Sequence, residues 1–145
     1  MHEDRQLLAQ RAGQVMYERD PTSRALGMEL AAIGPGHARM TMRVRPDMLN
    51  GHGTCHGGYI FMLADSAFAF ACNSHNVNTV GAGCTIDYLA PGRAGDVLVA
   101  EAVEQALSGK TGVYDVAVSN QEGRRIALFR GKSHRIAGHI VEPDA

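Results

Sequence analysis

The sequence predicts an α+β fold in which one curved antiparallel sheet wraps around a single long apolar helix. Three observations carry this expectation. The run from Gly58 to about Asn73 is too long for a typical strand and rich in Ala, Leu, Met and Phe, so it reads as a helix buried nearly all round. Most of the remaining chain consists of strand-like segments broken by Pro, Gly and Asn turns. A sheet face needs an apolar partner, and only the Gly58 to Asn73 segment is apolar enough to be one.

The elements follow in order. From about Glu3 to Arg19, Leu8, Ala12, Val15 and Met16 recur at helical spacing among polar residues, which gives a short amphipathic lead-in helix that "DPTSRALG" ends at its proline. Between Met28 and Arg45, a "GPG" break and the alternation of Ala38, Met40, Met42 and Val44 with Arg39, Thr41, Arg43 and Arg45 predict a half-buried hairpin. After the apolar helix come four more strands, in "TVGAGCTIDYLAP", "DVLVAEAVEQAL", "TGVYDVAVSN" and "GRRIALFRGKSHRI". The chain length of 145 residues suits one domain. The lead-in is placed at 1–24, the domain at 25–137 and a loose tail at 138–145, with no internal repeat.

Composition excludes several function classes. Fourteen basic residues against fifteen acidic ones, with no like-charge block, argue against a nucleic-acid binder. Cys55, Cys72 and Cys84 are odd in number and have no paired spacing, which points to a reducing cytoplasm. The charged N-terminus lacks a signal peptide's apolar stretch, and the longest apolar run is too short for a membrane span and is interrupted by Asp65. Small molecules and copies of the same chain are therefore the expected partners, with neither nucleic acid nor membrane.

Asp65 is the first candidate for chemistry. An ionised carboxylate in an apolar run is costly unless something stabilises it or its pKa moves, and the plain alternative is a structural aspartate bonded to a loop or to a sheet arginine. Gly57 and Gly58 sit where a loop enters the helix. First-turn N–H groups have no intrahelical partner and carry the positive end of the helix dipole, so an entrance without side chains leaves room for a carbonyl; the plain alternative is a tight junction. His52, Cys55 and His56 are spaced like zinc ligands, but no second Cys or His cluster completes a set, so no metal is expected. Eight residues along a helix is about 12 Å, too far for Gly57 and Asp65 of one chain to act on one carbonyl. Joint catalysis by them requires two chains related by a two-fold axis.

The segment "NGHGTCHGGYIFMLAD", with "DYLAPGRAGD" and "SGKTGVYDVAVSNQEGRRIALFRG" after it, resembles the hotdog-fold acyl-CoA thioesterases of the phenylacetic acid degradation branch. The likeness runs from about Ala25 to Ile136 and is most specific at Asn50, the His56-Gly57-Gly58 triplet and Asp65. It implies a hotdog fold and an active dimer, often paired again into a tetramer. It also implies that the Gly57 N–H polarises the thioester carbonyl, that His56 shapes the loop, and that Asp65 of the partner chain attacks or activates water, with Asn50 orienting water or substrate. Some relatives carry a hydroxyl residue one turn after the carboxylate, where this chain has Ala69.

Coenzyme A would belong to the substrate, so no separate cofactor is implied. Its phosphates imply a basic rim drawn from Lys110, Arg124, Arg125, Arg130, Lys132 and Arg135, with Lys110 and Thr111 in the turn that relatives bring near it. Gly58 would help shape the substrate site, and Phe61, Met62, Phe68 and Tyr88 are the candidates for an acyl pocket. The expected activity is hydrolysis of small, aryl-type (phenylacetyl-like) acyl-CoA thioesters. Two alternatives stand beside it: a hotdog dehydratase or hydratase whose histidine reaches the second and third acyl carbons, and a non-catalytic acyl-CoA binding protein.

Overall fold

The computed structural model describes residues 4–143. Helix α1 spans Arg5–Glu18 and is capped by Asp4, whose carboxylate accepts the Leu7 N–H at 3.0 Å; Glu3, placed in this helix from the sequence, lies outside the described residues. Its buried face centres on Ala9, Ala12 and Gly13, with Leu8, Val15 and Met16 half-buried beside it. The proline that was expected to end the helix instead starts another. Asp20 accepts the Ser23 N–H at 3.0 Å and Pro21 needs no donor in a first turn, so a short α2 forms at Pro21–Ala25.

The hairpin follows as β1 (Glu29–Gly34) and β2 (His37–Arg43), turning at Gly36, whose φ of 71° is open to glycine. A 3-10 turn at Pro46–Met48 leads to α3, Gly57–Asn73. Four strands complete the chain: β3 (Thr79–Tyr88), β4 (Val97–Ser108), β5 (Thr111–Ser119) and β6 (Arg125–Arg135). All six form one antiparallel sheet in the order β1-β2-β4-β5-β6-β3, so β1 and β3 are its edges. Register breaks in β1, β3, β4 and at the end of β5 bend it around the helix.

Alternation fixes which face turns inward. Ala38, Met40, Met42 and Val44 are buried as their spacing requires, and they meet Leu63, Ala64, Ala67 and Ala71 of α3 in one core with Leu98, Tyr114, Val116 and Ile126. The helix lies close to β6 at Gly131, where a Cβ would fall 2.8 Å from the Phe68 ring. α3 is not buried all round. Gly58 and Asp65 are exposed, and Phe61, Met62, Ser66 and Ala69 are half-buried, because this face looks out past β3, which is itself open to solvent from Val80 to Thr85.

Polar contacts fasten the far end of α3. His75 Nε2 lies 2.8 Å from Glu104, the Tyr114 hydroxyl donates to the same carboxylate at 2.7 Å, and Arg5 meets the other His75 nitrogen at 3.2 Å. The tail expected to be loose is held. Asn76, in the left-handed region at φ 64°, accepts the Ile140 and Val141 N–H groups at 3.1 and 2.9 Å, and Arg11 donates to the Glu142 carbonyl. Residues 144–145 of that tail lie outside the described residues.

Candidate active site

Asn50 organises the loop that precedes α3. Its side-chain oxygen accepts the N–H groups of His52 and Thr54 at 3.0 and 3.2 Å, and its amide donates to the Thr54 hydroxyl at 3.2 Å. The main chain repeats the tie, since the Asn50 N–H donates to the Thr54 carbonyl at 2.8 Å. Thr54 was missed in the sequence. Its signal was the Asn50 to Thr54 spacing, which an Asx-type turn needs.

His56 ends the loop as the N-cap of α3, its Nδ1 accepting the Gly58 N–H at 2.9 Å. The peptide between Gly57 and Gly58 is gripped at its other end too, because the Tyr88 hydroxyl donates to the Gly57 carbonyl at 3.0 Å. The Gly57 N–H, in the preceding peptide, has no acceptor among the described residues. A Cβ on Gly57 would sit 3.1 Å from the Tyr88 ring, so a larger residue here would press on that ring. Asn50, Gly57 and Tyr88, with Leu89 to Pro91, line an open cleft of about 440 Å³. Tyr88, assigned from the sequence to the acyl pocket, therefore stands at the helix entrance of its own chain.

Asp65 lies elsewhere, in a cavity of about 550 Å³ shared with Phe61, Phe68, Ala69, Cys72 and the Thr79 to Cys84 stretch of β3. It accepts no hydrogen bond and makes no ion pair among the described residues. Although Asp65 reaches solvent in the single chain, partial burial among apolar neighbours raises its carboxyl pKa above the ordinary value of 3.8. Among the described residues no arginine or helix N-terminus opposes that shift. Phe61 and Phe68 both pack on Phe129, with ring centres 5.7 Å apart, and form the aromatic wall of this cavity.

The histidines and cysteines of the loop do not converge. Cys55 is buried, and burial followed by the nearby Asp96 pushes its thiol up to about 11; His56 is committed to its cap. Among the described residues no three His, Cys, Asp or Glu side chains are arranged to hold a metal ion. Lys110 lies in the β4–β5 turn and Thr111 opens β5, and the Lys110 carbonyl accepts the Arg135 N–H at 2.8 Å. Arg135 pairs with Thr79, so this turn is at the Thr79 end of β3, away from Gly57. Arg130 is bound bidentately to Asp115 at 2.6 and 2.8 Å. A depression of about 570 Å³ between α1 and β1 contains neither cluster. No helix among the described residues is long and apolar enough to cross a membrane.

Residues 52–127 match the thioesterase superfamily. Acyl-coenzyme A thioesterase PaaI of Escherichia coli K12 is 52% identical over 87% of this chain and 90% of its own length. The solved structure of the E. coli PaaI protein from the phenylacetic acid degradation operon superposes with a TM-score of 0.92 at 48% identity, covering 94% of this chain and 99% of that one. A Streptococcus mutans UA159 protein solved with bound acetyl CoA superposes with a TM-score of 0.74 at 28% identity, over 77% of this chain and 90% of its own.

Proposed function

The chain belongs to the thioesterase superfamily, and from that premise we propose how this acyl-CoA thioesterase assembles its site, Asp65 of one chain completing the Gly57 cleft of another. One observation carries the proposal. Within one chain the two half-sites stand at opposite ends of β3, whose outer edge is unpaired. An unpaired strand edge is a template for a second strand, and an antiparallel two-fold pairing of β3 with its copy sets the Tyr88 end of one chain beside the Thr79 end of the other. Each Gly57 then faces a partner carboxylate, and a dimer has two equivalent sites; two dimers associate further into a tetramer.

The chemistry follows from these positions. The thioester carbonyl oxygen takes the place of the missing acceptor at the Gly57 N–H, at the positive end of α3. As the carbonyl carbon becomes tetrahedral, charge grows on that oxygen and the hydrogen bond strengthens. Asp65 either attacks the carbon itself, giving a mixed anhydride that water then cleaves to the free acid, or takes a proton from a water that attacks in its place; in both routes the C–S bond breaks, the coenzyme A thiolate leaves and a proton from the water passes to it. His56 and Tyr88 hold the Gly57–Gly58 peptide, Asn50 holds the loop, and its amide keeps one N–H for water or substrate. The Phe61 and Phe68 wall suits an aryl acyl group, so small phenylacetyl-type thioesters are the proposed substrates. No cofactor enters this scheme. Three free cysteines suit a reducing cytoplasm.

Release of free thiol from a panel of acyl-CoAs tests the substrate reading. Phenylacetyl-CoA and benzoyl-CoA should show the highest kcat/KM; a preference for long straight acyl chains would contradict the aryl assignment. Running the same panel for hydration and dehydration separates the two hotdog chemistries.

A further inference from the structure

We propose that Asn73 is a positioning residue for Asp65, its carboxamide pinning the edge strand β3 to α3 behind the Asp65 cavity; this rests on the role given to Asp65 above. Asn73 is the last residue of α3 and is buried. Its side-chain oxygen accepts the Thr79 N–H at 2.9 Å and its amide donates to the Thr79 carbonyl at 3.0 Å. A neighbouring antiparallel strand would exchange the same pair of bonds with Thr79. Thr79 turns these two groups outward, because Arg135, opposite it on β6, gives its own N–H to the Lys110 carbonyl. The strand edge open to a second chain therefore begins after Thr79. The Asn73 amide also donates to the Ala69 carbonyl at 2.9 Å. Only this orientation of the carboxamide serves, since the flipped one would set an oxygen against two carbonyls.

Both residues that Asn73 holds border the Asp65 cavity, Ala69 one turn after Asp65 on α3 and Thr79 at the start of β3. Asn73 thus joins the two walls from behind. Among the described residues hydrogen bonds join α3 to β3 at two places: Asn73 to Thr79, and the Tyr88 hydroxyl to the Gly57 carbonyl at 3.0 Å. The strand is pinned at its two ends, and the stretch between them from Val80 to Thr85 is open to solvent beside Asp65. Releasing the Thr79 pin lets helix and strand separate, which moves the carboxylate relative to the chain that docks on β3. Ser74 offers a comparison within the same turn of chain. It too is buried, but its hydroxyl ties α3 to the β1–β2 turn, accepting the Gly36 N–H at 2.8 Å and donating to the Ala71 carbonyl at 2.6 Å. It bonds neither to β3 nor to a residue bordering the cavity.

The test measures thiol release from the acyl-CoA that the parent protein turns over fastest. Asn73→Leu keeps most of the volume and removes the bonds to Thr79 and Ala69, while Asn73→Asp keeps the shape and turns an oxygen on the two carbonyls. Each should lower kcat by about ten- to a hundredfold, the scale of a small misplacement of a reacting group. KM should change by less than a factor of about two, because the Gly57 cleft is untouched. Ser74→Ala should lower the melting temperature and leave kcat as it is. Because Asn73 acts through Asp65, adding Asn73→Leu to Asp65→Asn should cost little further turnover. Normal kcat in both Asn73 variants, an equal fall of kcat in Ser74→Ala, or a full additional loss on top of Asp65→Asn would each overturn the proposal. Should Asn73→Leu fail to fold, Asn73→Asp combined with Asp65→Asn decides in its place. Near-normal turnover in Asp65→Asn would sink the role of Asp65 and the positioning with it, whereas a crippled Asp65→Asn beside normal Asn73 variants would sink the positioning alone.

Discussion

Asp65 combines two properties that usually exclude one another, a site among apolar side chains and no partner for its charge among the described residues of its own chain. Burial raises its folded pKa above 3.8, so the fold favours the neutral acid. Its contribution to stability is present below pH 3.8 and is lost as pH rises through the raised folded value. At neutral pH the charged carboxylate is therefore a burden on the fold. Two results follow from that sign. Asp65→Asn should lower kcat by about a hundredfold or more, the usual scale for a positioned base, and at pH 7 should melt at a higher temperature than the parent. A variant that kept its turnover would remove Asp65 from the mechanism. The acid limb of the kcat/KM profile should also lie above the ordinary aspartate range of about 4 and should disappear from the residual activity of Asp65→Asn. That Asp65 is out of place was legible in the sequence. That nothing among the described residues of its own chain answers its charge was not, because an arginine from any strand would satisfy the same text.

At the scale of elements, legibility followed periodicity. The alternation from Ala38 to Val44 and the continuous apolar run of α3 each specify a face, and both are where they were expected. α2 and the fastened tail were hidden because each depends on one polar side chain: Asp20 caps a helix only five residues long, and Asn76 reaches over sixty positions along the chain to its partners. The nearness of α3 and β6 was hidden as well, being visible only once Gly131 faces Phe68. Gly131→Ala should therefore cost about 1–3 kcal/mol through overpacking, read as a lower denaturant midpoint with an unchanged slope; a neutral result would mean that the helix shifts freely on the sheet. His56→Ala tests the other end of α3. Loss of the cap should cost about 1 kcal/mol, and kcat should fall further than that loss of stability explains, because the Gly57–Gly58 peptide is released at one end.

For the whole molecule, the decisive question is whether a site is made by one chain or two. Helix rise alone carries the distance argument from Gly57 to Asp65, whereas the opposite placement of the two half-sites along an unpaired β3 needed the fold. Asp65→Ala and Asn50→Ala proteins should each be nearly inactive. Refolded together, about half the dimers pair one of each, and each such dimer has one intact site, so about a quarter of all sites should recover. No gain after co-refolding, with dimers verified by sedimentation, would place all the groups in one chain. The doubly held Gly57–Gly58 peptide bears on the heredity of the activity. The group that polarises the carbonyl is main chain, and apart from proline no codon removes it, whereas one nucleotide change removes the carboxylate at Asp65. Descendants that lose turnover should then lose it at Asp65 while keeping the cradle for the thioester, and such a protein would pass from consuming acyl-CoA to sensing it.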